Sequence, residues 1–97
     1  MKSYWVYILA SKKDGALYVG VTSDLMGRVW QHRNGTYGGH TKKYHIRRLV
    51  WFEEFPMVDD AIAAEKRLKR WRRAWKDDLI AKSNPEWRDL YDEMMQP

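Results

Sequence analysis

Two short apolar runs near the start of the chain, joined by a turn, restrict the fold more than any other feature. Residues 4–9 (Tyr-Trp-Val-Tyr-Ile-Leu) are aromatic, β-branched or aliphatic without a polar break, and residues 17–21 (Leu-Tyr-Val-Gly-Val) form a second run. Asp14-Gly15 between them is a dipeptide that favours a tight hairpin turn. We therefore expect two antiparallel strands paired as a hairpin, with the first strand central and covered on both faces.

The next part of the chain predicts a helix, a loop and a third strand. Asp24 can cap a helix that we expect to run to about Arg33, and Asn34-Gly35 ends it. Residues 36–45 are polar and basic with two adjacent glycines, which is typical of a mobile loop. Residues 48–55 are mostly apolar and are expected to form the third strand.

Two more helices are expected after the third strand. Asp59 would cap the first, which spans about residues 61–76 and points a stripe of apolar side chains at the core, formed by Ala61, Ala64, Leu68, Trp71 and Trp75. Asn84-Pro85 indicates the restart of a last helix over residues 86–94. This order of elements predicts an α+β domain, in which the helices pack on a small antiparallel sheet.

Length and composition fit one domain over residues 1–97. The chain includes 6 Trp and 6 Tyr, which supply enough apolar area for one core, and it has no Cys. Neither a disulfide framework nor a thiolate zinc site can form without cysteine, so we expect a reducing, cytoplasmic location. No run approaches the ~20 apolar residues that cross a bilayer, and we expect no membrane partner. The oligomeric state is not indicated.

The formal net charge of +5 favours a polyanionic partner. Seven of the eleven residues from 66 to 76 are Lys or Arg, and none of the eleven is acidic. On one continuous helix, five of these cations would share the outward face, and two loop lysines would extend it: Lys66, Lys69, Arg70, Arg73 and Lys76, with Lys42 and Lys43. Such a surface favours a phosphate backbone. The alternative is a helix that is merely kept solvated by its charge.

Polar and aromatic residues with chemical potential fall on the predicted hairpin and the helix after it. Tyr7 and Tyr18 lie on the two paired strands, and Gly20 lies inside a strand, where a glycine often marks close approach of another group. Arg28 and His32 are four residues apart and so share one face of the helix. Each also has a structural explanation: core tyrosines, an arginine in a local ion pair, and a histidine on the surface.

Glu65 interrupts the apolar stripe of the long predicted helix. Around the helix axis it lies about 40° from Ala61 and about 60° from Leu68. A half-buried carboxylate needs a partner. Lys69 or Arg72 would supply an ion pair, and a divalent cation with oxygen ligands would supply a functional site. The helix geometry alone does not choose between these partners.

Taken together and in order, these residues resemble a known signature. Residues 5–7 (Trp-Val-Tyr), followed after ten residues by residues 18–20 (Tyr-Val-Gly), resemble the two-part signature of the GIY-YIG nuclease superfamily. The family's later positions are matched, in order, by Arg28, His32 and Glu65. The block from residue 65 to residue 76 is similar to that of small stand-alone, excinuclease-like members, and the resemblance covers nearly the whole chain.

The resemblance implies a fold, an activity and a set of roles. The fold would be a three-stranded antiparallel sheet flanked by helices. The activity would be metal-dependent endonuclease cleavage of phosphodiester bonds in DNA, or else RNA, with structured or damaged DNA in repair or recombination as the substrate. Tyr7 would activate or position the attacking water, and Tyr18 would form a hydrogen bond with the phosphate or with the water network. Arg28 would bind the scissile phosphate, and His32 would assist proton transfer. Glu65 would hold one Mg²⁺ or Mn²⁺.

The resemblance leaves one position and the final function open. The family often has an Asn some way after the glutamate, where Asp77 stands here, and Asn84 lies too far along to match. A catalytically weak or inactive nucleic-acid-binding module that uses the same basic helix is the alternative function. A domain whose basic helix meets an acidic protein partner is a third. Loss of activity in chelator would separate the nuclease from the binding module.

Overall fold

A computed structural model describes residues 2–37 and 39–95 of the protein. Its three strands are β1 (Tyr4–Ala10), β2 (Leu17–Thr22) and β3 (Arg48–Phe55). Its helices are α1 (Leu25–Arg33), α2 (His40–Lys43), α3 (Val58–Arg70), α4 (Arg73–Ser83) and α5 (Leu90–Met94). The structure confirms the predicted α+β class, the hairpin, the first helix and the third strand. These elements depend on local sequence pattern and on capping chemistry, so the sequence alone was sufficient to predict them. The predicted loop over residues 36–45 contains α2, and Gly38 lies outside the described residues.

The sheet has the order β2-β1-β3, and both pairings are antiparallel. Tyr7 therefore has Gly20 beside it on one neighbouring strand and Phe52 on the other. A bulge interrupts the pairing of β1 with β3 between Ile8 and Leu9. β1 is the central strand, so its side chains are buried alternately on both faces, as its unbroken apolar sequence predicts.

Each face of β1 contributes to a separate buried cluster. Val6, Ile8 and Ala10 point to one face of the sheet, where they pack with residues of α3 and α4. We call this side of the sheet the apolar face. Tyr7 and Leu9 pack on the opposite face, toward α1 and α5, which we call the polar face because of the groups described below. Burial of these clusters is the main favourable term that holds helices to sheet.

The single long helix predicted over residues 61–76 is wrong. The chain leaves helical geometry at Trp71 (ψ 143°) and Arg72 (ψ 157°), although the stretch has neither glycine nor proline. A straight helix would carry Ile80 about 18 Å along the axis beyond Leu68. The bend instead returns Ile80 to the apolar cluster that Leu68 occupies. Tertiary burial therefore overrides local helix propensity at this point.

Three related expectations also change. Met57, rather than Asp59, is the residue that precedes α3, and Asp59 lies in the first turn. Trp71 is partly buried and packs against the core cluster, as predicted, whereas Trp75 is 48% exposed and does not belong to the core stripe. The five cations no longer share one helical face, because Arg73 and Lys76 lie on α4.

The last helix is shorter than predicted. α5 begins after Asp89, whose carboxylate accepts a hydrogen bond from the backbone N–H of Tyr91 at 3.1 Å. Residues 85–86 form a turn. The buried side chain of Asn84 holds the chain on either side of it by donating to the carbonyls of Val50 and Arg88. The predicted helix over residues 86–94 therefore begins only at Leu90. Before it, side-chain hydrogen bonds of Asn84 hold the chain in place of backbone helical hydrogen bonds. None of the helices within residues 2–37 and 39–95 has the length and apolar character to cross a bilayer.

Candidate active site

Helix α1 positions two of the predicted site residues on one face. Its first turn is capped by Asp24, whose carboxylate accepts a hydrogen bond from the backbone N–H of Gly27 at 3.1 Å. Asp24 is therefore used by the helix end rather than by an ion pair with Arg28. His32, four residues after Arg28, is fully buried on the polar face, so it is not a surface residue.

Gly20 leaves room for the side chain of Tyr7. A Cβ atom added at Gly20 would overlap Cζ and Oη of Tyr7, which is its neighbour across the pair of strands. The glycine inside β2 is thus explained by the close approach of the Tyr7 ring. Tyr18 lies on the same face of the sheet, with its ring centroid 6.3 Å from that of Tyr7 and 5.2 Å from that of His32.

The hydrogen bonds of His32 indicate which of its two ring nitrogens carries the proton. Its Nδ1 lies 2.9 Å from Oγ1 of Thr41, and Thr41 donates its own hydroxyl proton to the carbonyl of Tyr37 at 3.3 Å. Nδ1 must therefore be the donor to Thr41, which leaves Nε2 as an acceptor. Nε2 lies 3.2 Å from the Tyr7 hydroxyl, so Tyr7 donates to His32. The order of donors runs from Tyr7 through His32 and Thr41 to a backbone carbonyl.

Burial keeps both partners of this pair uncharged. Burial lowers the pKa of His32 to about 4, and the nearby positive charge of Arg28 acts in the same direction. Burial raises the pKa of Tyr7, and Tyr18 adds to the rise, whereas a hydrogen bond and the charge of Arg28 oppose it. At neutral pH the site therefore contains a neutral imidazole whose free nitrogen faces a protonated phenol.

Tyr18 is subject to similar forces. Burial raises the pKa of Tyr18 and Tyr37 adds to the rise, whereas the positive charges of Lys69 and Arg28 oppose it. Lys69 is on α3, so a charge on that helix acts on Tyr18 of β2.

Tyr37 is a site residue that the sequence did not indicate. The guanidinium of Arg28 lies over its ring, 4.5 Å from the centroid, and the His32 ring lies 4.6 Å from it at a steep angle. Tyr37 thus holds Arg28 from one side by a cation–π contact. Thr41 was missed as well. Both lie in the segment predicted as a loop, where nothing distinguishes Tyr37 from the other tyrosine, Tyr44.

Glu65 lies on α3, and its side chain is 14% exposed. Its carboxylate pairs with Nζ of Lys69 at 2.9 Å, so of the two expected cationic partners Lys69 is the one found. Arg72 instead lies over the ring of Trp75. Lys69 is therefore close enough to act on both the Glu65 carboxylate and Tyr18.

The donor set around Glu65 suits a metal that keeps most of its own water. Within residues 2–37 and 39–95, no three His, Cys, Asp or Glu side chains form a metal-binding group. Mg²⁺ is commonly held by one or two carboxylates together with water and substrate phosphate, rather than by a protein cage. A single largely buried carboxylate fits that mode. A closed site of four protein ligands does not fit.

The cations predicted to contact nucleic acid fall into three groups. Lys66, Lys69 and Arg70 lie exposed on α3, and Lys42 and Lys43 lie exposed on α2. On α4, Arg73 pairs with Asp77 at 2.7 Å and also donates to the carbonyl of Gly15, and Lys76 is half-buried. In the part of the chain that the structure describes, Arg73 and Lys69 are thus the two members of this set that already have a carboxylate partner.

Asp77 and Asn84, the two residues considered for the Asn position that follows the glutamate in the family, both form ion pairs or hydrogen bonds within the protein. Asp77 is the partner of Arg73. Asn84 is buried, and its amide bonds backbone groups of Val50 and Arg88. Both side chains are accounted for by local structure, and that role stays open.

Comparisons with known proteins agree with the geometry. The model of the GIY-YIG catalytic domain matches residues 3–78. The chain is 33% identical over 81 residues to UPF0213 protein SSP2268 of Staphylococcus saprophyticus, which covers 84% of this chain and 98% of that one. It is 36% identical over 87 residues to a UPF0213 protein of Syntrophus aciditrophicus, with 89% and 98% covered.

A solved structure supports the same assignment. The chain is similar to the solution NMR structure of UPF0213 protein BH0048 from Bacillus halodurans, with a TM-score of 0.57 and 30% identity over 91% of this chain and 93% of that one. The family match spans β1 through the first turns of α4 and so includes all five residues predicted from the motif. The chain therefore belongs to the GIY-YIG catalytic domain family, within the nuclease superfamily of that name.

Proposed function

We propose that the protein is a divalent-metal-dependent endonuclease that hydrolyses phosphodiester bonds in DNA. The observation that carries the proposal is the buried hydrogen bond from Tyr7 to the free nitrogen of His32, beside Arg28. A phenol that donates to a neutral imidazole can pass its proton inward as it takes one from water. A purely structural pair would gain little from burying two polar rings.

The proton path follows the donor order of the site. The Tyr7 oxygen is fully buried in the free protein, so substrate binding must open a path for the attacking water to reach it. That water would attack phosphorus as its proton moves to the Tyr7 oxygen and the Tyr7 proton moves to Nε2 of His32. The bond from phosphorus to the leaving oxygen breaks, and that oxygen takes a proton from solvent. His32 is briefly an imidazolium, whose Nδ1–H stays hydrogen-bonded to Thr41. It then returns its extra proton through the Tyr7 oxygen, which is its contact on the side of the attacking water. Tyr7 is thus a relay and need not stay ionised.

Arg28 would supply the positive charge that phosphoryl chemistry needs. Hydrolysis builds negative charge on the non-bridging oxygens, and a fixed guanidinium stabilises it. The ring of Tyr37 restricts the orientation of Arg28 before substrate binds. Tyr18 would donate its hydroxyl proton to the phosphate or to the attacking water. The position of its ring beside those of Tyr7 and His32 supports this role.

Glu65 would hold the metal, Mg²⁺ or Mn²⁺. When bound, a divalent ion polarises the phosphate and lowers the pKa of the water it carries. Lys69 now neutralises the Glu65 carboxylate, so binding requires the Lys69 ammonium to move aside. Lys69 is half-exposed and flexible enough to do so. Freed, it would join Lys66 and Arg70 as contacts to the DNA backbone.

The same ion pair favours the second candidate function. A carboxylate already paired with Lys69 needs no metal, so the protein could bind nucleic acid through its exposed cations without cutting it. In either case we propose DNA as the partner and the reducing cytoplasm as the place of action. Structured or damaged DNA in repair or recombination is the proposed substrate.

Nicking of supercoiled plasmid tests the proposal. Purified protein is incubated with plasmid and Mg²⁺ or Mn²⁺, with and without chelator, beside Glu65→Ala and a control, Glu53→Ala, at an exposed glutamate of β3. We expect metal-dependent nicking by the wild type and the control, and none by Glu65→Ala, which should still shift DNA in a gel. Nicking that persists in chelator, or in Glu65→Ala, would contradict the metal role of Glu65. DNA shifted without nicking would support the binding module.

A further inference from the structure

The side of α1 that faces away from the catalytic residues borders a cleft that the proposed reaction does not use. The cleft has a volume of about 410 Å³ and is lined by Trp30, Arg33, Asn34, Arg47 and Tyr91, and we call it the Trp30 cleft. At 100° per residue, Trp30 lies about 160° around the helix from both Arg28 and His32. The cleft and the catalytic cluster are therefore separated by the width of one helix.

One wall of the Trp30 cleft is held in place by charge pairing. Arg33 pairs with Asp89 and, at 3.7 Å, with Asp92, and its guanidinium lies over the Tyr91 ring at 4.7 Å. The positive charge of Arg33 is thus largely balanced by two carboxylates. This wall is preorganised, but it offers little net attraction to an anion.

The other parts of the cleft are available to a ligand. Trp30 is 51% exposed, so about half of its surface is open to contact with a ligand. The amide of Asn34 donates to the carbonyl of Trp30 at 2.8 Å and closes the end of the helix beside it. Arg47 is exposed, and it takes part in none of the ion pairs found in residues 2–37 and 39–95. An open aromatic face and an unbalanced guanidinium therefore share one cleft.

We propose that the Trp30 cleft binds an unpaired nucleotide of the substrate strand, with its base stacked on Trp30 and its phosphate on Arg47. The inference rests on the proposed function, because it takes nucleic acid as the substrate, and it narrows that substrate to one with a single-stranded segment. Stacking on an aromatic side chain, paired with a nearby cation, is how single strands are commonly held.

The chemistry excludes an intact duplex as the occupant. Inside a duplex both faces of a base are covered by neighbouring bases, so no face is free to meet Trp30 unless the base is extruded. A flap, gap or frayed end has such bases without that cost. A nucleic-acid strand whose scissile phosphate is bound at Arg28 needs to cross only the diameter of α1, about 10–12 Å, to reach the Trp30 cleft. The Trp30 cleft would thus read an unpaired segment close to the cut.

The test measures binding of a fluorescently labelled oligothymidylate by anisotropy, in chelator so that nothing is cut. Trp30→Leu removes the stacking face and keeps an apolar side chain, whereas Trp30→Phe keeps an aromatic ring. The matched control is Trp75→Leu, because Trp75 on α4 is 48% exposed. We expect Trp30→Leu to weaken binding about tenfold or more, Trp30→Phe to retain most of the affinity, and Trp75→Leu to match the wild type.

Arg47 is tested in the same assay through salt. Arg47→Gln should weaken binding and reduce the slope of log affinity against log salt by about one charge. Unchanged affinity in Trp30→Leu, or an equal loss in Trp75→Leu, would overturn the assignment of the cleft. Melting curves for each variant confirm that the fold is intact.

Plasmid nicking by the wild type separates failure of this inference from failure of the proposed function. If the wild type nicks plasmid and Trp30→Leu binds the oligothymidylate normally, only the cleft assignment is wrong. If the wild type neither nicks plasmid nor binds single-stranded or duplex DNA, the proposed function has failed and the inference falls with it.

Discussion

The two faces of β1 carry side chains of different chemistry. On the apolar face, Ile8 packs in a hydrophobic cluster with residues of α3 and α4 and with Trp87. On the polar face, Tyr7 and His32 are fully buried beside Arg28, although burial of their polar groups costs desolvation free energy. The same strand therefore supports the fold with alternate residues and presents polar groups with the others.

The difference lies in how much each face gains from burial. Within residues 2–37 and 39–95, every buried side-chain nitrogen and oxygen has a hydrogen-bond partner, so the polar face is satisfied rather than defective. A satisfied polar network still gains less than an apolar core of the same volume, because desolvation offsets most of its hydrogen bonding. Such a network beside an arginine marks a candidate catalytic site, because strongly shifted pKa values cluster at functional sites.

The largest effect on stability should come from the apolar face. Ile8→Ala removes buried methyl and methylene groups from a fully buried position, and we expect a loss of about 2–5 kcal/mol in the free energy of unfolding. The matched control is Ile62→Ala at an exposed site on α3, with an expected change of about 0.5 kcal/mol or less. Urea denaturation measures both. Equal effects would mean that the apolar face does not carry the core.

The next effect is on rate and lies on the polar face. Arg28→Ala should lower the nicking rate on the order of 100-fold, because one preorganised charge at the phosphate is lost. Arg88→Ala, at an exposed arginine paired with Glu93, is the control and should nick normally. Both variants should melt close to the wild type. A near-normal rate for Arg28→Ala would remove Arg28 from the catalytic site.

The smallest effect is a pH dependence of stability that only the polar face should show. The unfolded chain protonates His32 near its ordinary pKa of about 6.5, whereas the folded chain resists until about pH 4. Between these values the unfolded state binds more protons, so His32 destabilises the fold as pH decreases from about 6.5 toward 4. Its contribution is constant above that window.

Melting temperatures at pH 7 and pH 5 measure this dependence. His32→Gln is the reference, because it cancels the titration of all other groups. We expect the wild type to lose more stability between the two pH values than His32→Gln does. Parallel losses would show that His32 is not held neutral in the fold.

Local signals in the sequence were sufficient for the sheet and the first helix. The unbroken apolar run of β1, the Asp14-Gly15 turn and the Asp24 cap each act within a few residues, so they can be recognised without tertiary information. The positions of Tyr7, Tyr18, Arg28 and His32 follow from that local frame, and the structure brings their side chains together. Their catalytic roles stay predictions.

Features that depend on distant contacts were not predictable. The bend at residues 71–72 exists because Ile80 is buried against the sheet, and no glycine or proline announces it. Tyr37 and Thr41 reach the site only because the segment after α1 folds back over it. The role of Glu65 as a metal ligand remains a prediction, as does the single domain over residues 1–97.

The Tyr7–His32 relay is the central claim, and the nicking rate of Tyr7→Phe tests it most directly. Tyr4→Phe is the control, because Tyr4 is on the same strand and packs on the apolar face. We expect Tyr7→Phe to fold, with about 1–3 kcal/mol lost through the unpaired His32 nitrogen. We also expect it to nick at least on the order of 100-fold more slowly than Tyr4→Phe, which should match the wild type. Nicking by Tyr7→Phe at the wild-type rate would contradict the relay.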